Sequence, residues 1–386
     1  MRSVKTLLKT ASLLVASLFA GVVLAQEQGS NHVVDSAIVK AIESDSEAPD
    51  IIQEEVDEAG GKFNPGKMIL DHIGDEHGWH LFGHYTLPLP VILYNAERGL
   101  SVFSSSKFDH GHKTYGGYKL EEGDVVAVTE TGAVDAHHTT IDDVATKATF
   151  DFSITKNVVS LWISIVLLLI IFISVANSYL RRKGEAPRGL QNLLEPVILF
   201  VRDDVAKSAI GEKKYMKYMP YLLTVFFFIF LNNLLGLIPF FPGGANLTGN
   251  IAVTLVLALI TFLIVTLNGN KHYWGHIFAM PGVPKLVLLI LTPVEVLGMF
   301  LKPFVLMIRL FANMTAGHII VLSFFSLIFV FGETSTGAGV GVAVGSLAFT
   351  IFMTMLELLV AFIQAYVFAF LSAMYIGAAV EEPQHH

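Results

Sequence analysis

Three apolar stretches of span length, approximately Val158 to Leu180, Tyr218 to Phe240 and Asn250 to Leu267, run through the middle of the chain. Each comes close to the ~20 residues with which a helix crosses ~30 Å of hydrocarbon. Two longer apolar blocks follow, Lys285 to Phe331 and Val344 to Ala379. As continuous helices they would measure roughly 70 Å and 54 Å, so they fit a bilayer only if they lie strongly tilted. Pro293 and Pro303 are places where the first could break. The glycine-rich GETSTGAGVGVAVGS between the blocks predicts a hairpin turn. Ahead of the spans the pattern shortens. TLPLPVILYN, GLSVFSSSKF and DVVAVTE are rich in β-branched and aromatic residues and broken by glycine and proline, which predicts a small β-rich domain over residues 63–151. The expected fold class is an all-α polytopic membrane protein, its transmembrane domain over residues 152–386 holding about five membrane helices including a long, strongly tilted two-helix hairpin, with a small β-rich periplasmic N-terminal domain.

Just over half of the 386 residues are hydrophobic, which at this length favours several spans over one soluble core. Residues 1–25 read as a signal peptide: Arg2, Lys5 and Lys9 precede an apolar run shorter than a span, and Val23-Leu24-Ala25 offers small residues for cleavage. Residues 26–62 are acidic and poor in aromatics, the composition of a flexible arm. Arg181, Arg182, Lys183 and Arg188 follow the first span and Lys213, Lys214 and Lys217 precede the second, whereas PFFPGGANLTGN carries no charge. The positive-inside bias then puts the N-terminal domain in the periplasm and the carboxyl terminus in the cytoplasm of a bacterial inner-membrane protein. Between the first two spans Leu190, Leu194, Val197, Val201 and Val205 recur at helical spacing, which predicts an amphipathic helix lying on lipid or on a partner subunit. There is no cysteine, hence no disulfide or thiolate metal site. There is no GxxxxGK[ST] loop either, so no catalytic residue and no cofactor is expected, and nucleotide chemistry would belong to other chains.

Charged residues inside the long blocks are the candidate chemistry. An unpaired arginine at mid-bilayer costs roughly 2.5–3.5 kcal/mol on insertion scales, so Arg309, with no acid within a dozen residues, needs a use. On a helical projection Lys302, Arg309 and Asn313 fall within ~40° of one line, with Glu295 joining them unless Pro303 rotates it away. His318 faces roughly the opposite way. In the second block Thr350, Glu357 and Gln364 are spaced by seven and Tyr375 lies on the same line. If the hairpin closes antiparallel, His318 and Glu357 meet, and such a pair can pass protons. The bland alternatives are interhelical hydrogen bonding for Gln364 and Asn313, and a structural salt bridge from Arg309 to Glu295 or Glu357.

Around these residues the sequence resembles a known family. KPFVLMIRLFANMTAGH, preceded by PVEV, together with NNLLGLIP, NLTGNIAVTLVLAL and ELLVAFIQAYVFAFL, is similar to subunit a of the F-type ATP synthase membrane sector, from about Phe150 onward. The signal and acidic N-terminal domain are similar to the extended form of that subunit in Bacteroidetes-like bacteria. The resemblance implies that Arg309 is the arginine facing the carboxylates of a rotating c-ring. It implies that Asn313, Glu295 and Lys302 lie near that arginine, and that Gln364 is the glutamine of the facing helix. His318 and Glu357 match a proton-handling pair whose members are exchanged in some relatives. Asn232 and Asn233 stand where many relatives carry an acid nearby. The implied partners are the c-ring, the b subunits and through them the F1 sector, with lipid and protons and without nucleic acid. A secondary transporter of an anionic solute is the alternative, in which Arg309, His318 and Glu357 bind the solute, but it calls for inverted repeats and the chain has no internal repeat. A membrane-anchored sensor leaves the polar hairpin unexplained.

DHIGDEHGWHLFGH stands outside the resemblance. Here Asp71, His72, Asp75 and Glu76 accompany His77, His80 and His84, which would share a face if the segment were helical and could then hold a metal. Solvated histidines on a small domain, or a proton-collecting surface, are the other readings.

Overall fold

The computed structural model describes Pro65, Gly66, Ile69 and residues 73–382, apart from 83–84, 122, 130–135, 137–138, 183, 239–242, 279, 281–282 and 335. The signal peptide and acidic arm expected over residues 1–62 lie outside the described residues, as do His72 and His84.

The β-rich domain consists of three small antiparallel sheets. Strands β1 (Gly78–Phe82) and β2 (Tyr85–Pro88) pair, β3 (Pro90–Asn95) lies between β4 (Gly99–Ser104) and β7 (Thr149–Asp151), and β5 (Tyr118–Glu121) pairs with β6 (Asp124–Ala127). Strand β3 alternates as a half-buried strand must: Val91 and Leu93 point inward onto Phe108, Tyr118, Ala127 and Ala145, while Tyr94 faces out. Ala145 belongs to a one-turn helix, α1 (Asp143–Lys147), whose N-terminus Asp142 caps by accepting from the Ala145 amide.

The domain is fixed to the first long helix, α2 (Lys156–Arg181), by carboxylate capping. Asp75 Oδ1 accepts from the Asn157 amide at 3.0 Å and Oδ2 from the Thr155 hydroxyl at 2.9 Å, while the Lys156 amide donates to the Glu76 carbonyl. The negative group therefore sits at the positive end of the helix dipole and satisfies an amide that the helix itself cannot.

Beyond α2 come α3 (Leu190–Phe200), continued by a π-turn at Val201–Lys207 and a last turn at Ser208–Ile210, then α4 (Tyr215–Leu237), α5 (Ile251–Asn268), the short α6 (Lys271–Phe278), α7 (Lys285–Thr334) and α8 (Thr336–Val380). Five of these, α2, α4, α5, α7 and α8, are long and apolar enough to cross a membrane. The chain is thus a polytopic helical membrane protein with a small β-containing domain, as the hydrophobic pattern predicts. The core lies where α8 packs on α4 and α7 packs on α5 and α8, and it is filled by Leu222, Phe226, Ile229, Leu257, Leu306 and Leu310 from the facing sides.

Three expectations are corrected. Pro293 and Pro303 do not break α7, which runs through both. The hairpin turn expected over GETSTGAGVGVAVGS is far shorter than that segment, since helix continues to Thr334 and resumes at Thr336. Its glycines let backbones touch: a Cβ on Gly339 would stand 2.7 Å from Gly332 Cα. The amphipathic α3 and its π-turn pack within the chain itself, with Val201, Val205 and Ala206 fully buried against the helix core and only Leu190 of the expected stripe exposed.

Candidate functional site

The direction of α7 is set by which of its faces is apolar without interruption. Leu306, Leu310 and Met314, one turn apart, are 1 %, 1 % and 6 % exposed and insert into the bundle. Lys302, Arg309 and Asn313 emerge on the adjoining face, centred roughly 80° around the helix, all three exposed. Among the described residues Arg309 makes no ion pair with Glu295, Glu357 or any other carboxylate, so the structural salt bridge weighed above is not formed.

On α8 a stripe of alanines, Ala361, Ala365, Ala369 and Ala373, is fully buried and draws this helix close to its neighbours. The hairpin register follows from two contacts. A Cβ built on Gly317 would lie 2.6 Å from Glu357 Oε1, and the Lys302 ammonium stands 5.7 Å above the Tyr375 ring. Between these contacts Gln364, 6 % exposed, falls within a helical turn of the level of Arg309.

Two polar clusters lie on either side of Arg309. Toward the β-domain, the Glu357 carboxylate rests on the α7 backbone at Gly317, one residue before His318. His318 reaches α4, where its Nε2 is 3.5 Å from the point a Cβ on Gly236 would occupy. Buried amides and hydroxyls continue the cluster. Thr248 donates to Asn233 Oδ1 at 2.6 Å, Asn233 Nδ2 donates to the Ala361 carbonyl, Asn232 Nδ2 donates to the Phe228 carbonyl, and Thr315 donates to the Gly249 carbonyl. Toward the opposite end, Lys302 and Tyr375 line a narrow cleft with Thr261, Phe262, Tyr273 and Met299, and Glu295 lies within electrostatic reach of Tyr273. Thr261 is itself hydrogen-bonded to Tyr221 at 2.6 Å. Along α7, Lys302 and His318 lie roughly 10 Å and 13 Å from Arg309 in opposite directions.

The hairpin brings Lys302 to Tyr375 and rests Glu357 on Gly317, while His318, the next residue, turns to Gly236 of α4; Asn313 stays on the exposed face with Arg309, and Thr350 is half-buried. Gly236, Gly317, Thr248 and Thr315 complete the first cluster and were not expected. For Gly236, Gly317 and Thr315 the signal in the sequence is a small residue one or two helical turns from candidate polar groups inside an apolar helix, whereas Thr248 lies in the short turn Leu247–Gly249 ahead of α5.

The histidine-rich segment is corrected. Gly78–Phe82 is strand β1, not helix, so His77 and His80 share no helix face. Both ring nitrogens of His77 already contact protein, Nδ1 at 3.0 Å from the Gly123 carbonyl and Nε2 at 3.1 Å from Asp151 Oδ2. Among the described residues no group of three His, Cys, Asp or Glu side chains is arranged to hold a metal ion.

Fold and site together define a polytopic membrane protein whose two-helix hairpin presents a fixed cation between two polar clusters. Residues 158–377 match the family described as ATP synthase A chain, and residues 68–152 match a family described only as a domain of unknown function. Similar proteins include ATP synthase subunit a of Chloroherpeton thalassium, 46 % identical over 242 residues, covering 61 % of this chain and 69 % of that one. ATP synthase subunit a 2 of Chlorobaculum tepidum is 48 % identical over 245 residues, covering 62 % and 66 % respectively. ATP synthase subunit a of an Anaeromyxobacter species is 40 % identical over 275 residues, covering 68 % and 64 %. The matches thus span about two-thirds of the length of these relatives. The chain belongs to the ATP synthase A chain family.

Proposed function

We propose that this chain is the proton-conducting a subunit of an F-type ATP synthase, working against a ring of c subunits in a bacterial inner membrane. The observation that carries the reading is Arg309, exposed on a long membrane helix without an ion pair among the described residues, with polar clusters displaced to either side of it. A carboxylate presented by the ring at about 4 Å from this guanidinium would be held by roughly 4 kcal/mol at an effective dielectric of 20. The same positive charge repels a proton moving directly between the clusters. Protons must then leave one cluster on a ring carboxylate and re-enter the other after rotation.

His318 and Glu357, with Asn233 and Thr248 behind them, form the half-channel on the β-domain side. Lys302, Tyr375 and Glu295 lie along the half-channel on the opposite side, and Gln364 and Asn313 flank the arginine. Arginines and lysines at the α2 end, in the following loop and before α4 support a cytoplasmic location for that side, with the β-domain periplasmic and the carboxyl terminus cytoplasmic. The b subunits, and through them the F1 sector, are further partners, and nucleotide chemistry belongs to partner chains and not to this one. A membrane potential of 100 mV supplies ~2.3 kcal/mol per charge moved.

The test is ATP-driven proton uptake by inverted vesicles carrying the assembled complex, with passive leak measured alongside. Arg309→Ala is expected to abolish uptake while assembly persists and leak is unchanged or raised. Normal uptake in that variant would overturn the reading.

A further inference from the structure

The joint between the β-domain and α2 holds a titratable group that the channel does not use. His77 is 4 % exposed, and its ring lies between three segments distant in sequence: its own strand entry before β1, the β5–β6 turn at Gly123, and Asp151 at the end of β7. The Gly123 carbonyl only accepts hydrogen bonds, so Nδ1 must donate to it. The Asp151 carboxylate at 3.1 Å also accepts, so Nε2 must donate as well. An imidazole that donates from both nitrogens is the imidazolium. A neutral ring keeps one of the two bonds and turns a lone pair toward an oxygen at the other.

The surrounding charges fit the cation. Asp151 faces it from β7, Asp75 lies two residues upstream with both oxygens engaged by the start of α2, and Lys156 on the first turn of α2 is buried beside Asp75. Glu76 and Asp124 are the adjacent charged positions on the two contacting segments. With His77 charged, Asp75, Asp151, Lys156 and His77 balance two negative against two positive groups, His77 and Lys156 being buried and the two carboxylates half-buried. Loss of the proton leaves a net negative charge at a site partly withdrawn from water.

We propose that protonated His77 is a latch that holds the β5–β6 hairpin and β7 against the head of α2, and that the latch releases as the pH on the β-domain side rises. Under the topology proposed above, that pH is the pH of the side from which protons enter during synthesis. Burial alone would lower the imidazole's affinity for its proton, but the hydrogen bond and charge of Asp151, aided by Asp75, outweigh it and hold the ring above the ordinary histidine range. With the native value raised, the contribution to stability is complete below about pH 6.5 and is lost as pH rises through the native value. Across that interval the opening equilibrium shifts by up to about tenfold per pH unit.

Hydrogen exchange of the full chain in lipid nanodiscs from pH 5.5 to 9, corrected for the intrinsic pH dependence of exchange, tests this. Peptides covering Tyr118–Ala127 and Thr149–Asn157 are expected to lose protection in one transition above pH 6.5, with α5 unchanged as a reference. His77→Gln should leave both peptides poorly protected at every pH. Asp151→Asn, which keeps an acceptor but removes the counter-charge, should move the transition to lower pH. Protection that is independent of pH in the native chain, or a transition that survives in His77→Gln, overturns the proposal.

Discussion

A single added methyl group at Gly317 would separate carboxylate placement from fold stability. A Cβ there would stand 2.6 Å from Glu357 Oε1, with the Glu357 Cδ and Cγ at an ordinary 3.5 Å. Non-bonded contact becomes comfortable at about 3.4 Å, so the carboxylate has to withdraw by roughly 0.8 Å. The obstructed atom is the end of a side chain with several torsions, and it can move without disturbing either backbone. Gly→Ala inside a helix also gains up to about 1 kcal/mol in propensity, so Gly317→Ala should melt no lower than the native protein. Misplacing a reacting group by ~1 Å costs up to about 100-fold in rate, and a loss of ATP-driven proton uptake between tenfold and that limit is expected in inverted vesicles. Gly236→Ala is the control, because its Cβ would meet His318 Nε2 at an ordinary 3.5 Å, and it should pump nearly normally. Native-level uptake by Gly317→Ala would refute the placement argument. Loss of assembly in that variant would refute it too, because the position would then serve packing and not the carboxylate.

Two further substitutions probe rigid parts of the bundle. At Gly377 an added Cβ would collide with the Ala209 carbonyl oxygen, which belongs to backbone; Gly377→Ala should cost about 3 kcal/mol or prevent stable assembly, read by denaturation in detergent. Asn233→Ala removes the acceptor of the buried Thr248 hydroxyl and a donor to the Ala361 carbonyl, and a loss of about 1–3 kcal/mol in the same denaturation is expected.

The membrane part of this protein is legible in its sequence because a bilayer leaves a chain few options. Uninterrupted apolar runs must be helices, and a helix places Lys302, Arg309 and Asn313 on one line whatever surrounds them. Closing the hairpin antiparallel sets Glu357 at the level of His318, but the carboxylate rests on Gly317 and the imidazole turns to Gly236 of α4. Less was visible where tertiary contact overrode local signals. Gly332 and Gly339 read as loop residues, yet they serve close approach of two helices, and the helices continue almost to each other. His77 and His80 read as helical neighbours, but pairing of Trp79 with Leu87 and burial of the Trp79 ring impose a strand. The stripe on α3 signals only that something apolar covers it, and here the cover is the chain's own helix core. Gly317 gives no hint in one dimension that a carboxylate will rest on it.

The length of α7 has a mechanical corollary. Treated as a straight rod, its 50 residues measure about 75 Å. Crossing ~30 Å of hydrocarbon inclines such a rod by about 66° from the membrane normal. If the bilayer thickens by ~3 Å, the rod rotates by only about 2.5° and its tip shifts sideways by roughly 1.4 Å, whereas an upright helix would have to draw in about two more residues. The lateral position of Arg309, part-way along the rod, shifts still less. A steeply inclined hairpin thus acts as a geometric buffer, keeping its charged face aligned while lipid chain length varies with growth conditions.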